Sequence, residues 1–336
     1  MEKETIKTTC DQDMAAAGFE MIPATVYEET FRLRVATYNI LNTSDRYDER
    51  EKLLKKNLYE LNADVVGLQE VAFGSNQLDE LKTPRGKHIR HSIDQTYRRG
   101  QGYQVYEAPF QCPEFHSEML LDPRARCDGN VMMVCPTLGQ HGAKVVKHEI
   151  MHLSAFLNCQ RLEVELKDRT KVHIVNLHLH DLVSEEQVRV HQIQNVVYWI
   201  NKRSENDCVA WILAEGGGFL SAYKEFHGQE PEKTYNTGLI SPYMDTDPPC
   251  TVDYIFYRPG KGMSPDAVKL KYAKVMGDAH DPEDHTIYGS DHYPLVAEFD
   301  IQIKPIEGSA HSSESESVLH QNKFVHHQHH VAMVLQ

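Results

Sequence analysis

Short apolar, β-rich segments that end on polar side chains constrain the fold of this chain more than any other feature. RVATYN ends in Asn39, VVGLQE ends in Glu70, and IVNLHL carries Asn176 and His178. Similar segments follow at VAWIL, VDYIF and HYPLVAEFDI. Helical patterns separate some of them, whereas others follow one another directly, which predicts α/β layers with mixed sheets. Open α/β sheets bind ligands at the carboxyl ends of their strands, so we expect the polar ends to meet at one site.

The charge of the chain limits its partners. Its 336 residues carry a formal net charge of -14. An acidic body disfavours stable binding of long nucleic acid, because counterion release requires Lys and Arg. A phosphorylated small molecule or a nucleic-acid substrate in the site remains compatible, and clustered carboxylates suit a divalent cation.

The sequence contains no evident targeting, disulfide or membrane-span signal, and the predicted compartment and oligomeric state follow from this. The first residues, MEKETIKTTCDQ, contain no apolar signal core, and the seven cysteines form no C-x-x-C pair. No segment approaches the roughly 18 apolar residues that a membrane span needs. We therefore predict a monomeric protein without a membrane span, located in the cytoplasm or alternatively in the nucleus.

The chain divides into three regions by composition. Residues 1–30 are predicted to be an irregular lead-in, residues 31–305 a single domain, and residues 306–336 a disordered tail rich in Ser, Glu and His. Within the domain, DEREKLLKKNLYEL and SEEQVRVHQIQNVVYWINKR have helical periodicity. Residues 74–128 are polar, with Gly and Pro, and are predicted to be a long surface insertion.

The segment His148-Glu149-Ile150-Met151-His152 matches the H-E-x-x-H zinc protease motif. That motif requires a helix, because only helical i, i+4 spacing places both imidazoles on one face. The surrounding sequence has β-branched residues and short alternating stretches, which are typical of strands. On a strand the two histidines would lie about 13 Å apart, so we reject the zinc protease hypothesis.

Two groups of residues at the strand ends have complementary chemistry. Asn39, Glu70 and Asp291 offer oxygen ligands, the donors that Mg²⁺ or Mn²⁺ prefers. Asp253 could orient and charge the imidazole of His292, as an Asp does for His in other active sites. Each residue alone has an ordinary explanation as a turn former or a solvated side chain, so the inference depends on their convergence.

The order of the motifs resembles the endonuclease/exonuclease/phosphatase superfamily, which has the DNase-I-like fold. The matching segments in chain order are ATYNIL, GLQEV, DGNVMMV, VNLHL, VDYIF and SDHYPL. The resemblance implies an α/β four-layer sandwich, in which two mixed β-sheets pack face to face with helices on the outside. It also implies a Mg²⁺-dependent phosphoester hydrolase of phosphodiesterase, phosphatase or nuclease type.

The same resemblance implies a role for each motif residue. Glu70 is expected to be the principal metal ligand, with contributions from Asn39 and Asp291. His178 is expected to contact the phosphate, and Asn176 of the same motif is assigned to substrate binding. The catalytic set is completed by the pair at the scissile phosphate, His292 held by Asp253.

One family motif is missing. Gly-Asp-Phe-Asn, whose Asp positions the attacking water, should follow Ile212-Leu213-Ala214, yet the chain continues with Glu215 and three glycines. The motif was either substituted in place or lost with a deleted segment. The downstream GFLSAY favours deletion, because similar family members carry such an element well beyond the motif. Glu215 is an uncertain stand-in, because a shift of one residue turns a strand side chain to the other face.

This departure predicts an impaired enzyme. The alternative is a catalytically inactive family member, or a splice or gene-model variant, that acts as a binding protein.

Overall fold

The structure is a computed structural model. It describes residues 29–41, 46–73, 77, 81, 102–110, 128–154, 157–180, 185–203, 208–213, 219–241, 247–260 and 263–303. The predicted tail and nearly all of the predicted lead-in lie outside the described residues, so the proposed domain boundaries stay predictions.

The described strands form two mixed sheets of six strands each. The first sheet contains β1 (Thr30–Asn39), β2 (Val65–Ala72), β3 (Gln104–Pro109), β4 (Asp128–Val134), β11 (Val268–Val275) and β12 (Leu295–Gln302). Its order is β11-β12-β1-β2-β4-β3, and only β1 and β2 are parallel neighbours among the described pairs.

The second sheet contains β5 (Lys144–His152), β6 (Asn158–Glu165), β7 (Lys171–Leu177), β8 (Cys208–Leu213), β9 (Leu220–Ser221) and β10 (Phe256–Pro259). Its order is β5-β6-β7-β8-β10-β9, and β7 and β8 are parallel.

The two sheets pack face to face through one buried cluster. Leu33 and Val35 of β1 share this cluster with Leu162 and Val164 of β6. Alternate residues of each strand point to this inner face, and each buried Leu or Val contributes about 1.5–3 kcal/mol. This packing accounts for the apolar sequences of the central strands, because both faces of those strands are covered.

Two long helices, α1 (Tyr47–Leu61) and α3 (Glu186–Arg203), cover the outer faces. Two short helices, α2 (Thr137–Gln140) and α4 (Ala222–His227), contribute Leu138 and Ala222 to the cluster between the sheets, and a 3-10 turn lies at Pro265–Ala267. The leucine stripe of α1 packs against the outer side chains of the first sheet, and Val196, Trp199 and Ile200 of α3 pack against the second. This arrangement confirms the predicted four-layer sandwich.

Two predictions about individual segments were wrong. The range 74–128 is not only a surface insertion, because it contains β3, which pairs along its length with β4. The half-exposed sequence QVYEAP has little apolar periodicity, so its strand depends on pairing that the sequence does not show. The segment VDYIF is a strand only from Phe256, because the backbone N–H groups of Val252 and Asp253 bond to the Thr234 hydroxyl.

The H-E-x-x-H segment is part of β5, which confirms the predicted strand. His148 Nε2 lies 3.1 Å from the side-chain amide of Gln160 on β6, and the His148 ring makes an edge contact with Tyr106. The described helices include none that is long and apolar enough to cross a membrane.

Candidate active site

The first part of the site lies where the parallel strands β1 and β2 end together. Asn39 is paired in register with Gln69, which brings the next residue, Glu70, to the same edge of the sheet. Asn39 Nδ2 donates a hydrogen bond of 2.8 Å to Glu70 Oε1, and Asn39 Oδ1 accepts one of 3.0 Å from the Leu41 N–H. Both ends of the Asn39 amide are therefore fixed, and it orients the carboxylate.

The backbone at Glu70 is left-handed, with φ of 54°. The pairing of β2 with β4 shifts register between Leu68 and Val71, so Glu70 lies in a β-bulge. Bulges next to active sites commonly redirect a side chain. A side chain with a Cβ in this conformation costs about 1–2 kcal/mol, and such strain clusters at functional sites.

This strain predicts that Glu70→Gly is more stable than Glu70→Ala. Both changes remove the carboxylate and its bond to Asn39. The difference in stability between the two variants therefore reports the conformational cost of the backbone alone. We expect Glu70→Gly to unfold with a free energy about 1 kcal/mol higher in urea titrations. Equal stabilities, or a more stable Ala variant, would show that the bulge at Glu70 is not strained.

Ser290 joins this pair to Asp291. Its Oγ lies 2.8 Å from the Asn39 carbonyl oxygen and 3.1 Å from Asp291 Oδ1. Asp291 is 6% exposed. Burial raises the pKa of Asp291, the charge of His292 opposes that rise, and the negative charge of Glu70 adds to it.

The predicted pair of Asp253 and His292 is present. His292 Nδ1 lies 2.9 Å from Asp253 Oδ2, and both side chains are nearly buried. Burial lowers the pKa of His292, but the negative charges of Asp253, Asp291 and Glu70 outweigh burial and raise it to about 9. The imidazole is therefore held as a cation among carboxylates, with its ring 5.0 Å from the ring of Tyr235.

Thr234 fixes the segment that carries Asp253. Thr234 is fully buried, and its Oγ1 accepts hydrogen bonds of 2.9 Å from the N–H groups of both Val252 and Asp253. Its carbonyl accepts a bond of 2.7 Å from the N–H of Tyr293, next to His292. One threonine thus supports both members of the Asp253–His292 pair.

Thr234→Val is expected to destabilise the fold by about 2 kcal/mol, because two partly buried N–H groups lose their acceptor and the buried hydroxyl is removed. Thr234→Ser is the matched control: it keeps the hydroxyl, loses one methyl group, and should cost less than about 1.5 kcal/mol. Chemical denaturation measures both. If the valine variant is as stable as the serine variant, Thr234 does not have this role.

His178 follows β7 and lies with its Nε2 3.9 Å from Glu70 Oε1. Six predicted site residues therefore form one connected group through Ser290. We call this group the strand-end cluster; its members are Asn39, Glu70, His178, Asp253, Asp291 and His292.

Asn176 lies deeper than the prediction implied. It is fully buried between the sheets, where its Nδ2 donates to the carbonyls of Leu68 and Val131 and its Oδ1 accepts from Gln69. Gly67 makes room for it, because a Cβ there would lie 2.9 Å from the Asn176 side chain. This geometry gives Asn176 a structural role, and substrate binding by Asn176 has no support from these contacts.

Arg50 was missed as a site residue. It is completely buried and donates to the carbonyls of Ile40 and Leu41, just after Asn39, and of Gly289, just before Ser290. It therefore connects the two chain segments that carry Asn39 and Asp291. The sequence does indicate that Arg50 is buried, because it lies four residues before Leu54 on the apolar stripe of α1.

The donor chemistry of the strand-end cluster fits a hard divalent cation. Glu70 and Asp291 supply two carboxylates whose charges disfavour each other, and Asn39 supplies an amide oxygen. No group of three or more His, Cys, Asp or Glu side chains in the described part of the chain could hold a metal. A cation here would therefore depend on two carboxylates, the amide and ligands from outside the protein.

The connection after β8 is short. Leu213 and Ser221 both pair with Phe256, one from each side of β10, so β8 and β9 run parallel. Only Ala214 to Phe219 join them, whereas parallel strands usually need a crossover of about a dozen residues or more. Glu215 lies within residues 214–218, outside the described residues, so its role as a stand-in stays a prediction.

Comparison with solved structures shows the same fold at low sequence identity. D. rerio TDP2 in complex with a single-strand DNA product has a TM-score of 0.57 at 19% identity, covering 80% of this chain and 98% of that one. The human Nocturnin catalytic domain with bound sulfate has a TM-score of 0.57 at 18% identity, covering 81% of this chain and 95% of that one.

An endonuclease/exonuclease/phosphatase family protein from Bacteroides thetaiotaomicron has a TM-score of 0.55 at 15% identity, covering 82% of this chain and all of the other. No protein-family model and no curated protein sequence matches the chain. The chain has the DNase-I-like fold of the endonuclease/exonuclease/phosphatase proteins, as its motifs predicted.

Proposed function

We propose that the strand-end cluster is the site of a Mg²⁺-dependent phosphoester hydrolase, of phosphodiesterase or nuclease type, whose activity is impaired in this chain. The observation that carries the proposal is the hydrogen-bonded Asp253–His292 pair, whose imidazole lies in the electrostatic field of the Glu70 and Asp291 carboxylates. A cationic imidazole next to a carboxylate pair is suited to bind a phosphate group together with a metal ion.

The residues have distinct parts in this reaction. Glu70, Asn39 and Asp291 would hold Mg²⁺, which supplies charge neutralisation at the phosphoryl oxygens. Asp253 holds His292 by its Nδ1, so we assign the Nε2–H of His292 to donate to a phosphate oxygen. His178, beside Glu70, offers a second imidazole on the same edge.

Among the described residues, none is assigned to position the attacking water. The sequence of β8, CVAWIL, contains no acid, and the short connection to β9 is consistent with loss of the Gly-Asp-Phe-Asn segment. A positioned base is typically worth about 10²–10⁴ in rate, so the remaining residues would support only slow hydrolysis.

Hydrolysis of a chromogenic phosphodiester, bis(p-nitrophenyl) phosphate, with and without Mg²⁺ tests this proposal. We expect slow turnover that requires Mg²⁺ and is lost in Glu70→Gln and in His292→Ala. The matched control is Glu107→Gln, an exposed carboxylate on β3. Slow turnover that persists in Glu70→Gln, or that needs no metal, would contradict the proposed site.

The second candidate is a binding protein without turnover, including a splice or gene-model variant. The six-residue connection from β8 to β9 favours it. Sequencing transcripts across the Ala214–Glu215 junction distinguishes a splice or gene-model variant from an evolved loss of the motif. An alternative exon encoding Gly-Asp-Phe-Asn would identify a variant of an active enzyme, whereas an uninterrupted junction would indicate an evolved loss.

The substrate is proposed only as a class. The solved relatives include a TDP2 with single-strand DNA product, and a nucleic-acid or phosphorylated small-molecule substrate suits the strand-end cluster. The net charge of -14 opposes stable binding of long nucleic acid.

A further inference from the structure

A groove on the outer face of the second sheet shares no residue with the strand-end cluster. We call it the α3 groove. It has a volume of about 400 Å³ and lies between the end of β5 and the second half of α3. Its lining includes Met151, Leu153, Asn195, Tyr198, Trp199 and Lys202. This volume is within the range of about 300–1,000 Å³ that small-molecule sites occupy.

The aromatic wall of the α3 groove is partly fixed in place. Trp199 belongs to the buried cluster under α3, and the Arg203 guanidinium lies 4.6 Å above its ring. Arg203 is held in turn by its Nε, which donates to Glu149 at 3.1 Å. Tyr198, the residue next to Trp199, is 61% exposed, a high value for a large aromatic side chain.

The polar groups of the α3 groove are available to a ligand. Lys202 Nζ lies 4.5 Å from the centre of the Tyr198 ring and has no carboxylate partner among the described residues. Glu149, the nearby acid on β5, already bonds to Lys147, Arg161 and Arg203. Asn195 is exposed one helical turn before Tyr198. In a chain of net charge -14, this groove is locally cationic.

We infer that the α3 groove binds a mononucleotide. An exposed ring provides a stacking surface for a planar base, Asn195 can bond to the edge of the base, and Lys202 supplies a cation for the phosphate. The concave, compact shape fits one nucleotide, whereas a peptide partner would require a longer groove or a sheet edge. The inference is independent of catalysis at the strand-end cluster.

Calorimetric titration with adenosine 5′-monophosphate tests the inference on the whole chain. We expect saturable binding that weakens about tenfold in Tyr198→Ala, through lost stacking, and about tenfold in Lys202→Gln at low salt. Tyr198→Phe keeps the ring and should retain most of the affinity. Lys269→Gln, an exposed lysine of the first sheet, is the matched control and should bind normally.

Other outcomes would overturn the inference. Binding lost in Glu70→Gln but retained in Tyr198→Ala and Lys202→Gln would place the nucleotide at the strand-end cluster. Equal competition by inorganic phosphate or by a poly-glutamate peptide would show an unspecific anion site. Absence of saturable binding at millimolar nucleotide would also refute it. None of these results depends on whether the chain hydrolyses phosphoesters. Nucleotide binding at the α3 groove can therefore be refuted without refuting hydrolysis at the strand-end cluster, and the reverse.

Discussion

Insertion of a Gly-Asp-Phe-Asn segment after Ala214 is expected to raise the rate of Mg²⁺-dependent phosphodiester hydrolysis by about a hundredfold or more. The strand-end cluster already contains the carboxylates of Glu70 and Asp291, a cationic imidazole that Asp253 orients, and the second imidazole of His178. What the insertion adds is an Asp to position the water and an Asn to donate to the phosphate. Because residues of one site act together, the two contributions need not simply multiply.

The insertion must also lengthen the crossover, because six residues are few for parallel strands on either side of β10. The matched control is an insertion of equal length that carries Gly-Asn-Phe-Ala. It relieves the same connection and should leave the rate near that of the unmodified chain. If the two insertion variants hydrolyse the substrate equally slowly, the missing motif is not the cause of impairment. The same conclusion follows if the unmodified chain has a normal rate that Glu215→Gln abolishes.

Arg50→Met is expected to destabilise the protein by about 3 kcal/mol or more. Arg50 is fully buried, and its removal leaves the carbonyls of Ile40, Leu41 and Gly289 without this donor. A buried acceptor that loses its partner costs about 1–3 kcal/mol, and methionine fills similar space without donating a hydrogen bond. Urea unfolding of the two proteins measures the difference.

Lys52→Met on the same helix is the control for this substitution, because Lys52 is exposed. A surface change of this kind should alter stability by less than about 0.5 kcal/mol. Arg50→Lys should be intermediate, because one ammonium cannot reproduce the fork of donors that reaches both chain segments. A fully stable Arg50→Met protein would contradict the role assigned to Arg50.

The strand ends were the part of the site that the sequence could predict. Asn39 and Glu70 end apolar β-rich segments, and parallel neighbours bring such ends to one edge of a sheet. The Asp253–His292 pair followed from its chemistry and from the resemblance of the motifs. Its partners come from chain segments about 40 residues apart, and only the tertiary fold brings them to 2.9 Å.

Other features depend on contacts that a sequence pattern does not show. β3 is a strand because β4 pairs with it, although its own side chains are half exposed. Thr234 resembles any loop threonine, and its role appears only through the two N–H groups that it accepts from. The motif of Asn176 predicts a substrate contact, whereas in the structure its side chain donates to the Leu68 and Val131 carbonyls between the sheets.

Titration of Mn²⁺ into the unmodified chain, followed by electron paramagnetic resonance, tests the proposed metal site most directly. It does not require turnover, so it applies even to an impaired enzyme. We predict one saturable site that Mg²⁺ competes for, with affinity at least about tenfold weaker in both Glu70→Gln and Asp291→Asn. Glu107→Gln should bind normally. Absence of a saturable site, or binding unchanged in both variants, would contradict the account.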